Sequence, residues 1–318
     1  MPSPTHNRSL YINLADERIY RSAFNLTRPL LLQRMRYVEH MLAFLQHAEL
    51  KTFPLMEQVL RVSCAQEGTF VDSGANEGSW SLVAASYGCK VIAVEPQPHC
   101  TQLLQTGVNA NAGLGGRVRV VNAFLAATPM SVNFSADGSC RAARQVLPDG
   151  KLGASIALQE KGDRHSRKAG QTDGADRIAV RSATLTELLP AHDRVALWHL
   201  DVEGAELDVL DSAAALFAAR RVDRVMLEFV PVRWERFGVQ QEAGLKRARR
   251  IFSGWSCARV CDGAPYDFAA PPAYPKRCQP DLFCERGAAV RVRLGLLPPP
   301  CRVACNPAGR ACSVRCAR

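Results

Sequence analysis

The chain has 318 residues, of which 47% are hydrophobic and 22% charged, and its formal net charge is +10. These values are typical of a globular protein with a sizeable core, and they exclude a fibrous or wholly disordered chain. No apolar run reaches the roughly eighteen residues of a transmembrane helix, and the first residues lack the basic-then-apolar order of a secretory signal. We therefore expect a soluble, cytoplasmic protein, with targeting to an organelle left open.

The first half of the chain alternates short apolar strands with helices. Residues 1–60 are predicted to form a helical segment, because apolar positions between Leu30 and Leu45 recur at helical spacing. Strands are then predicted at 68–72, 90–95 and 117–121, and helices at 80–87 and after Pro96. Strand–helix alternation with short loops is typical of a doubly wound, parallel α/β sheet.

The second half repeats this alternation after an interruption. The pattern is lost at 136–180, which we interpret as an insertion or a lid. It resumes with a short helix from Thr184, strands at 195–201 and 223–230, and a helix at 242–252. The resulting division is a central domain at 61–256, followed at 257–318 by a Pro-, Cys- and Arg-rich region that is expected to be partly disordered.

The C-terminal region carries most of the net positive charge. From Arg286 onward there are seven arginines and no Asp or Glu. A basic tail can contact nucleic acid or another anionic surface, but a solvated tail is the interpretation we favour, and we do not expect a nucleic-acid partner.

The chain has twelve cysteines. Cys64, Cys89, Cys100 and Cys140 are expected in the core as small hydrophobic residues. Cys301, Cys305, Cys312 and Cys316 form two C-x3-C pairs, which could hold zinc or form disulfides. The segment between these pairs has little apolar content, so free thiols are the interpretation we favour.

The turn after the first predicted strand holds the first chemical signal. Asp72 ends the strand, and Gly74 and Gly78 flank Asn76 in a turn that leads into a helix, so backbone N–H groups can approach a ligand. The spacing differs from the G-x-G-x-x-G of dinucleotide-binding proteins. An acid at this position suits a cationic ligand, and Glu95 ends the next strand, where an acid can bond the hydroxyls of a ribose. S-adenosylmethionine (SAM) meets both requirements better than NAD does.

Six segments together resemble the FkbM-type methyltransferases. They span roughly residues 69–252 and include a D-x-E-G-A-E segment after a strand. The segments are Val71-Asp-Ser-Gly-Ala-Asn-Glu-Gly78, Ala93-Val-Glu-Pro-Gln-Pro98, Asn109-Ala-Asn111, Val121-Asn-Ala123, Leu200-Asp-Val-Glu-Gly-Ala-Glu206 and Met226-Leu-Glu-Phe229. The resemblance implies a Rossmann-like class I fold with seven strands, SAM as cofactor, and most often methylation of oxygen.

The same resemblance assigns roles to individual residues. It implies that the first turn lines the methionine end of SAM, that Glu95 holds the ribose, and that Asn122 and Ala123 lie near the adenine. It also implies that Asp201 and Glu203 lie beside the transferred methyl group. The residues expected to line the methionine end are Asp72, Gly74, Asn76 and Gly78.

This chain departs from the family pattern at two positions. Ser73 stands where the family usually has an aliphatic residue, and His199 where it usually has lysine. His199 is either a satisfied core imidazole, which we favour, or a general base near the acceptor hydroxyl. We expect Asp201 to accept the proton, with Glu203 or Glu228 assisting. Asp201 and Glu228 could also belong to a metal site, although nothing in the sequence requires one.

Three alternatives compete with a SAM-dependent O-methyltransferase acting on a small hydroxylated molecule or a sugar. Methylation of nitrogen in a nucleic acid typically uses an Asp/Asn-Pro-Pro-aromatic turn, and this chain has Asp201-Val-Glu-Gly204 instead. A non-enzymatic interaction module is disfavoured by the intact cofactor residues, and an NAD oxidoreductase by the turn spacing.

Overall fold

The structure is a computed structural model that describes residues 50–64, 68–111, 113–135, 145–146, 177–272, 281–287, 302–305 and 312–315. The predictions for residues 1–49 lie outside the described residues, as do those for most of the 136–180 insertion and most of the tail. Of the helix predicted within residues 1–60, the structure describes α1 (Leu50–Cys64), which continues past residue 60.

A seven-stranded sheet forms the centre of the fold. In chain order its strands are β1 (Thr69–Ser73), β2 (Lys90–Val94), β3 (Val118–Val121), β8 (Val195–Leu200), β9 (Arg224–Glu228), β10 (Trp255–Arg259) and β11 (Asp281–Arg286). Their spatial order is β10-β11-β9-β8-β1-β2-β3. Five strands, from β3 to β9, run parallel, and β11 is antiparallel to both of its neighbours. The predicted doubly wound, mostly parallel sheet is therefore confirmed.

The sheet extends beyond the domain boundary that the sequence predicted at residue 256. Strand β11 pairs with β9 over Asp281–Glu228 to Glu285–Arg224, and β10 begins at Trp255. The boundary at 256 is thus wrong, because two strands of the central sheet lie at or beyond it. The Pro- and Cys-rich composition of this region concealed a buried strand, Asp281 to Cys284.

Helices connect the parallel strands and cover both faces of the sheet. They are α2 (Ser79–Ser86), α3 (Pro98–Ala110), α4 (Leu185–Leu188), α5 (Glu206–Asp211), α6 (Ala214–Ala218), α7 (Pro231–Trp234), a 3-10 turn (Glu235–Phe237) and α8 (Gln241–Ile251). Helix α4 starts with a capping box in which Thr184 and Glu187 bond each other's backbone N–H groups. None of the described helices combines the length and hydropathy needed to cross a bilayer.

A smaller sheet lies between β3 and β8 in the chain. Its strands are β4 (Phe124–Leu125), β5 (Ser131–Ser135), β6 (Gln145–Val146) and β7 (Arg177–Ala183), in the order β4-β7-β5-β6. The described parts of the predicted insertion, residues 145–146 and 177–180, are therefore in strands. In the tail, β12 (Arg302–Cys305) pairs with β13 (Cys312–Arg315), which sets Cys305 opposite Cys312.

The core lies on the two faces of the central sheet, as the alternation along β8 illustrates. Trp198 and Leu200 point into one buried cluster with Leu207 and Phe252, and Leu197 points into the other cluster with Phe70. Both clusters are continuous along the sheet, so the strand ends are held on a rigid support.

Two disulfides join elements of the central sheet to their neighbours. Cys64 at the end of α1 is bonded to Cys89, which directly precedes β2, and Cys257 of β10 is bonded to Cys284 of β11. The expectation that Cys100, Cys64 and Cys89 are separate hydrophobic residues is therefore wrong, since Cys100 is disulfide-bonded and Cys64 and Cys89 are bonded to each other. They are 25 positions apart in the chain, and this pairing could not be deduced from their spacing.

Candidate functional site

The carboxyl ends of β1, β2, β3, β8 and β9 meet at one edge of the sheet, because these strands run parallel. In open α/β sheets this edge is where ligands bind. The turns that follow the five strands contain all the site residues predicted from the sequence except Asp72, His199 and Glu228, which lie within β1, β8 and β9.

The turn after β1 passes tightly against the end of β8. Gly74 has φ of +78°, and a Cβ atom at this position would lie 1.8 Å from the carbonyl oxygen of Asp201. The Gly74 and Ala75 N–H groups donate to the Val94 carbonyl at 3.0 and 3.1 Å. Only glycine fits such an approach without strain, so Gly74 fixes the turn against both neighbouring strands. Gly78 closes the turn as the N-cap of α2.

Glu95 holds the same turn from the β2 side. Its carboxylate accepts from the backbone N–H groups of Asn76 and Gln97, each at 2.9 Å, and its side chain is buried. Asn76 has φ of +51°, a conformation that Asn adopts more readily than most residues. Burial raises the pKa of Glu95 above its ordinary value. These contacts hold Glu95 against the β1 turn.

Asn122 and Ala123 lie at the end of β3, beside Glu95. The Asn122 amide donates to the carbonyls of Glu95 and Pro96 at 3.0 and 2.9 Å, and Ala123 is buried. Asn122 therefore holds the loop after β2 in place. The family resemblance had implied a contact with adenine at this position.

Asp72 is buried beneath the turn, where both of its carboxylate oxygens have protein partners. The Ser81 hydroxyl donates to Oδ2 at 2.6 Å, and Nδ1 of His199 lies 2.9 Å from Oδ1. The His199 ring also lies 5.8 Å from the Trp80 ring, measured between centroids. His199 thus packs in the helix layer beside α2, which is the arrangement favoured from the sequence, and it pairs with Asp72.

Ser73, the other departure from the family pattern, also has a described partner. The Trp198 indole N–H donates to its hydroxyl at 2.8 Å, and both side chains are buried. A hydroxyl at this position satisfies the indole donor inside the core, which an aliphatic residue could not do.

Three carboxylates converge at the ends of β8 and β9. Asp201, Glu203 and Glu228 each offer an oxygen, and these oxygens lie within 4.8 Å of one another. We call these three residues the acidic cluster. Glu203 has φ of +57°, an uncommon backbone conformation that turns its side chain into the cluster. Arg233 of α7 pairs with Glu203 at 2.8 Å and also with Glu228.

The acidic cluster carries more negative than positive charge. Three carboxylates face the guanidinium of Arg233, the charge of Arg236 acts more weakly on Glu203, and Oδ1 of Asp201 is buried without a hydrogen-bond partner in the described part of the chain. Burial, followed by the charges of Glu228 and Glu203, raises the pKa of Asp201 well above its usual value. Burial also raises the pKa of Glu203, although Arg233 opposes this. Such a cluster attracts a cation, either an organic cation or a metal ion.

Glu206 supports the loop that carries the cluster. Its carboxylate accepts from the Gly204 N–H at 2.7 Å and from the Trp234 indole N–H at 3.0 Å, and its side chain is 2% exposed. Burial raises its pKa to about 7, although these hydrogen bonds lower it. Glu206 is the first residue of α5, so it also fits the helix-start role expected from the sequence.

Sequence reasoning missed Arg233, Ser81 and Trp234. Arg233 and Trp234 lie in Pro231-Val-Arg-Trp234, directly after β9, and a proline at the first helical position was an available sign of a helix at this edge. Ser81 lies inside α2 among apolar residues. No local pattern shows that its hydroxyl reaches Asp72.

The sheet order and the glycine turn define a Rossmann-like α/β fold whose ligand-binding edge carries the acidic cluster. The family model of the methyltransferase FkbM domain matches residues 72–251, which is more than half of the chain. The chain belongs to the FkbM methyltransferase family.

Solved structures with similar folds have low sequence identity to this chain. The methyltransferase FkbM from Methylobacillus flagellatus KT is 14% identical with a TM-score of 0.41, and the match covers 69% of this chain and 43% of that one. The N-terminal domain of human METTL16 in complex with SAH is 13% identical with a TM-score of 0.40, covering 84% and 78%. A SAM-dependent methyltransferase from Agrobacterium tumefaciens is 12% identical with a TM-score of 0.35, covering 74% and 61%.

The chain therefore spans less than half the length of the Methylobacillus protein. No curated protein matches the chain at a significant level of similarity.

Proposed function

We propose that this protein binds SAM at the carboxyl edge of the central sheet and transfers its methyl group to a hydroxyl oxygen of a small molecule or sugar. The observation that carries this proposal is the acidic cluster, with its unpartnered Asp201 oxygen, next to the Gly74 turn. The family supports methyl transfer, and the residues of this edge support the choice of cofactor.

The described residues fit a cationic nucleoside. The cluster has an excess of carboxylates over guanidinium groups, and SAM carries a sulfonium and an ammonium group. Gly74, Asn76 and Gly78 would let the backbone approach the methionine end. Glu95 would reach the ribose by exchanging one of its bonds to the turn, and Ala123 would face the adenine. Asp72 would not contact SAM directly but would hold His199 and α2 in position beneath the turn.

When bound, SAM supplies an electrophilic methyl group, so the protein's main task is to align the acceptor with it. Asp201 is suited to accept the proton of the acceptor hydroxyl, because its raised pKa brings its basicity closer to neutral pH. Glu203 and Glu228 stabilise the resulting proton within the cluster, and Arg233 keeps their side chains in place. An oxygen acceptor must lose this proton, which is why a buried carboxylate favours a hydroxyl substrate.

A methyl-transfer assay tests this proposal. Protein and radiolabelled SAM would be incubated with a panel of sugars and other hydroxylated small molecules, with matched amines as the second group. We expect label in a hydroxylated acceptor and at least a hundredfold loss of rate in Asp201→Asn. Asp208→Asn is the control, since Asp208 is a surface partner of Arg247 outside the cluster. Label in the amines alone, or equal rates in the two variants, would refute oxygen transfer through Asp201.

The two disulfides indicate the kind of cellular compartment in which the protein works. The sequence favoured the cytoplasm, but pairs such as Cys64–Cys89 and Cys257–Cys284 persist mainly in oxidising compartments. We propose that the protein works in such a compartment. Differential alkylation in intact cells tests this, and we expect these four cysteines to resist labelling until a reductant is added. Immediate labelling of all four would support the cytoplasm instead.

A further inference from the structure

A cavity of about 690 Å³ lies at the opposite edge of the central sheet. It is bounded by α5, α6, the end of α8, the first residue of β10 and the last residue of β11. The Arg286 N–H donates to the carbonyl of Asp223, the residue directly before β9, which places the cavity at the amino ends of the parallel strands. The length of strand β9, at ~3.3 Å per residue, sets this edge roughly 15 Å from the acidic cluster.

The cavity combines an aromatic wall with a guanidinium group. Phe217 and Trp255 line it with ring centroids 5.5 Å apart, and Leu210 adds an aliphatic side chain. The Arg286 guanidinium carbon lies 5.1 Å from the centroid of the Trp255 ring, within the range of a cation–π contact. A flat apolar group can pack against these rings while a charged substituent faces the arginine.

The Arg286 guanidinium is incompletely satisfied. One of its amino groups donates to the Phe217 carbonyl at 2.9 Å, whereas the Nε–H is buried without a partner among the described residues. A buried donor on a charged group that lacks an acceptor is costly, and an anion placed against the guanidinium would relieve this cost.

The charges around the cavity leave positive charge uncompensated. Burial, together with the like charges of Arg220 and Arg194, lowers the pKa of Arg286, and Asp223 opposes this only in part. Asp223 also pairs with Arg194. The lining acid Asp211 lies 2.5 Å from Arg247, and the lining residue Arg250 adds a further cation. Residues 287–318, which directly follow β11, contain no Asp or Glu that could supply a side-chain carboxylate.

We propose that this cavity binds a small organic anion with a flat apolar body and one carboxylate or phosphate group. The anionic group bonds the guanidinium of Arg286, with Arg250 at the rim, and the flat body packs on Phe217 and Trp255. The site is separate from the methyl-transfer edge, so its occupancy can be tested without any assumption about the reaction.

Calorimetric titration tests this site with three related probes. These are 2-naphthoate, 2-naphthyl phosphate and the uncharged 2-naphthylmethanol. We expect both anions to bind at least tenfold more tightly than the alcohol. Arg286→Gln should weaken the binding of both anions at least tenfold, which corresponds to about 1.4 kcal/mol. Comparing the two anions shows whether carboxylate or phosphate is preferred.

Two further variants separate binding from folding. Arg250→Gln, at the rim, should weaken the binding of the anions about threefold. This variant tests the proposal if Arg286→Gln does not fold. Arg249→Gln removes the same charge from the neighbouring position of α8, which does not line the cavity, and should bind like the wild type. Equal binding of the alcohol, anion binding that survives both cavity variants, or no anion binding at millimolar concentration would overturn the proposal.

Discussion

Replacing Glu206 with Gln should change the stability of the protein by an amount that depends strongly on pH. Burial raises the pKa of the Glu206 carboxylate from its ordinary value of 4.5 to about 7. Because the folded-state pKa is the higher one, Glu206 contributes stability fully below about pH 4.5, and this contribution is lost as the pH rises through 7. The difference between the two pKa values corresponds to about 3 kcal/mol.

The Gln variant removes this titration and introduces one mismatch. Its amide oxygen can still accept from the Gly204 N–H, but its NH2 group then faces the Trp234 indole N–H, which is also a donor. Loss of that hydrogen bond costs about 1 to 3 kcal/mol at every pH. We therefore expect the variant to be clearly less stable than the wild type at pH 5. At pH 8.5 it should be equal to the wild type or more stable.

Urea unfolding at these two pH values, followed by tryptophan fluorescence and circular dichroism, measures the difference. Glu242→Gln is the matched control, because Glu242 is an exposed acid whose pKa is lowered by Lys246. Its contribution to stability changes only below about pH 4.5, so this variant should show the same small effect at both pH values. A destabilisation by Glu206→Gln that is the same at both pH values would refute the reasoning, since it would mean that Glu206 titrates normally in the folded protein.

Three other predictions concern the turn, the disulfides and the charge of the site. Gly74→Ala should lower the free energy of unfolding by about 2 to 4 kcal/mol and weaken SAM binding. Gly115→Ala, where an added Cβ would have nothing within 4 Å, should have little effect. Equal unfolding midpoints for the two variants would contradict this prediction. Replacing both Cys257 and Cys284 by Ala should lower the unfolding free energy by about 3 kcal/mol under non-reducing conditions, unless thiol titration finds the pair already reduced in the native protein. SAM binding should release protons from the acidic cluster, because a cation lowers the raised pKa of its carboxylates. Calorimetry in two buffers of different ionisation enthalpy would detect the released protons. Identical binding heats in the two buffers would contradict this prediction.

The parallel half of the sheet could be predicted because its signals are local. Each strand before Glu95 and before Asp201 is a short apolar run, and each ends in a polar turn. The side to which a strand-end residue turns follows from alternation, which is why the packing of His199 in the helix layer could also be anticipated.

The antiparallel strand β11 could not be predicted in the same way. It inserts between β9 and β10, so its place depends on pairing with residues more than fifty positions earlier in the chain, such as Glu228 with Asp281. Neither composition nor periodicity encodes such pairing. The two disulfides escaped prediction for the same reason.

The candidate site was predicted as a set of residues but not as a set of contacts. Asp72 and Glu95 were expected to face a ligand, whereas in the structure Asp72 bonds Ser81 and His199, and Glu95 bonds the turn. A sequence shows that a carboxylate ends a strand, but its partners depend on side chains from other elements. Arg233, which pairs with two members of the acidic cluster, went unnoticed for this reason.

The most direct test of the central claim is calorimetric titration of the purified protein with SAM and, separately, with NAD. The account predicts SAM binding at micromolar concentration and no response to NAD. Asp201→Asn should weaken SAM binding, because it removes charge next to the sulfonium, while Asp208→Asn should not. A folded protein that binds NAD, or that binds neither ligand, would contradict the assignment of this edge as a SAM site.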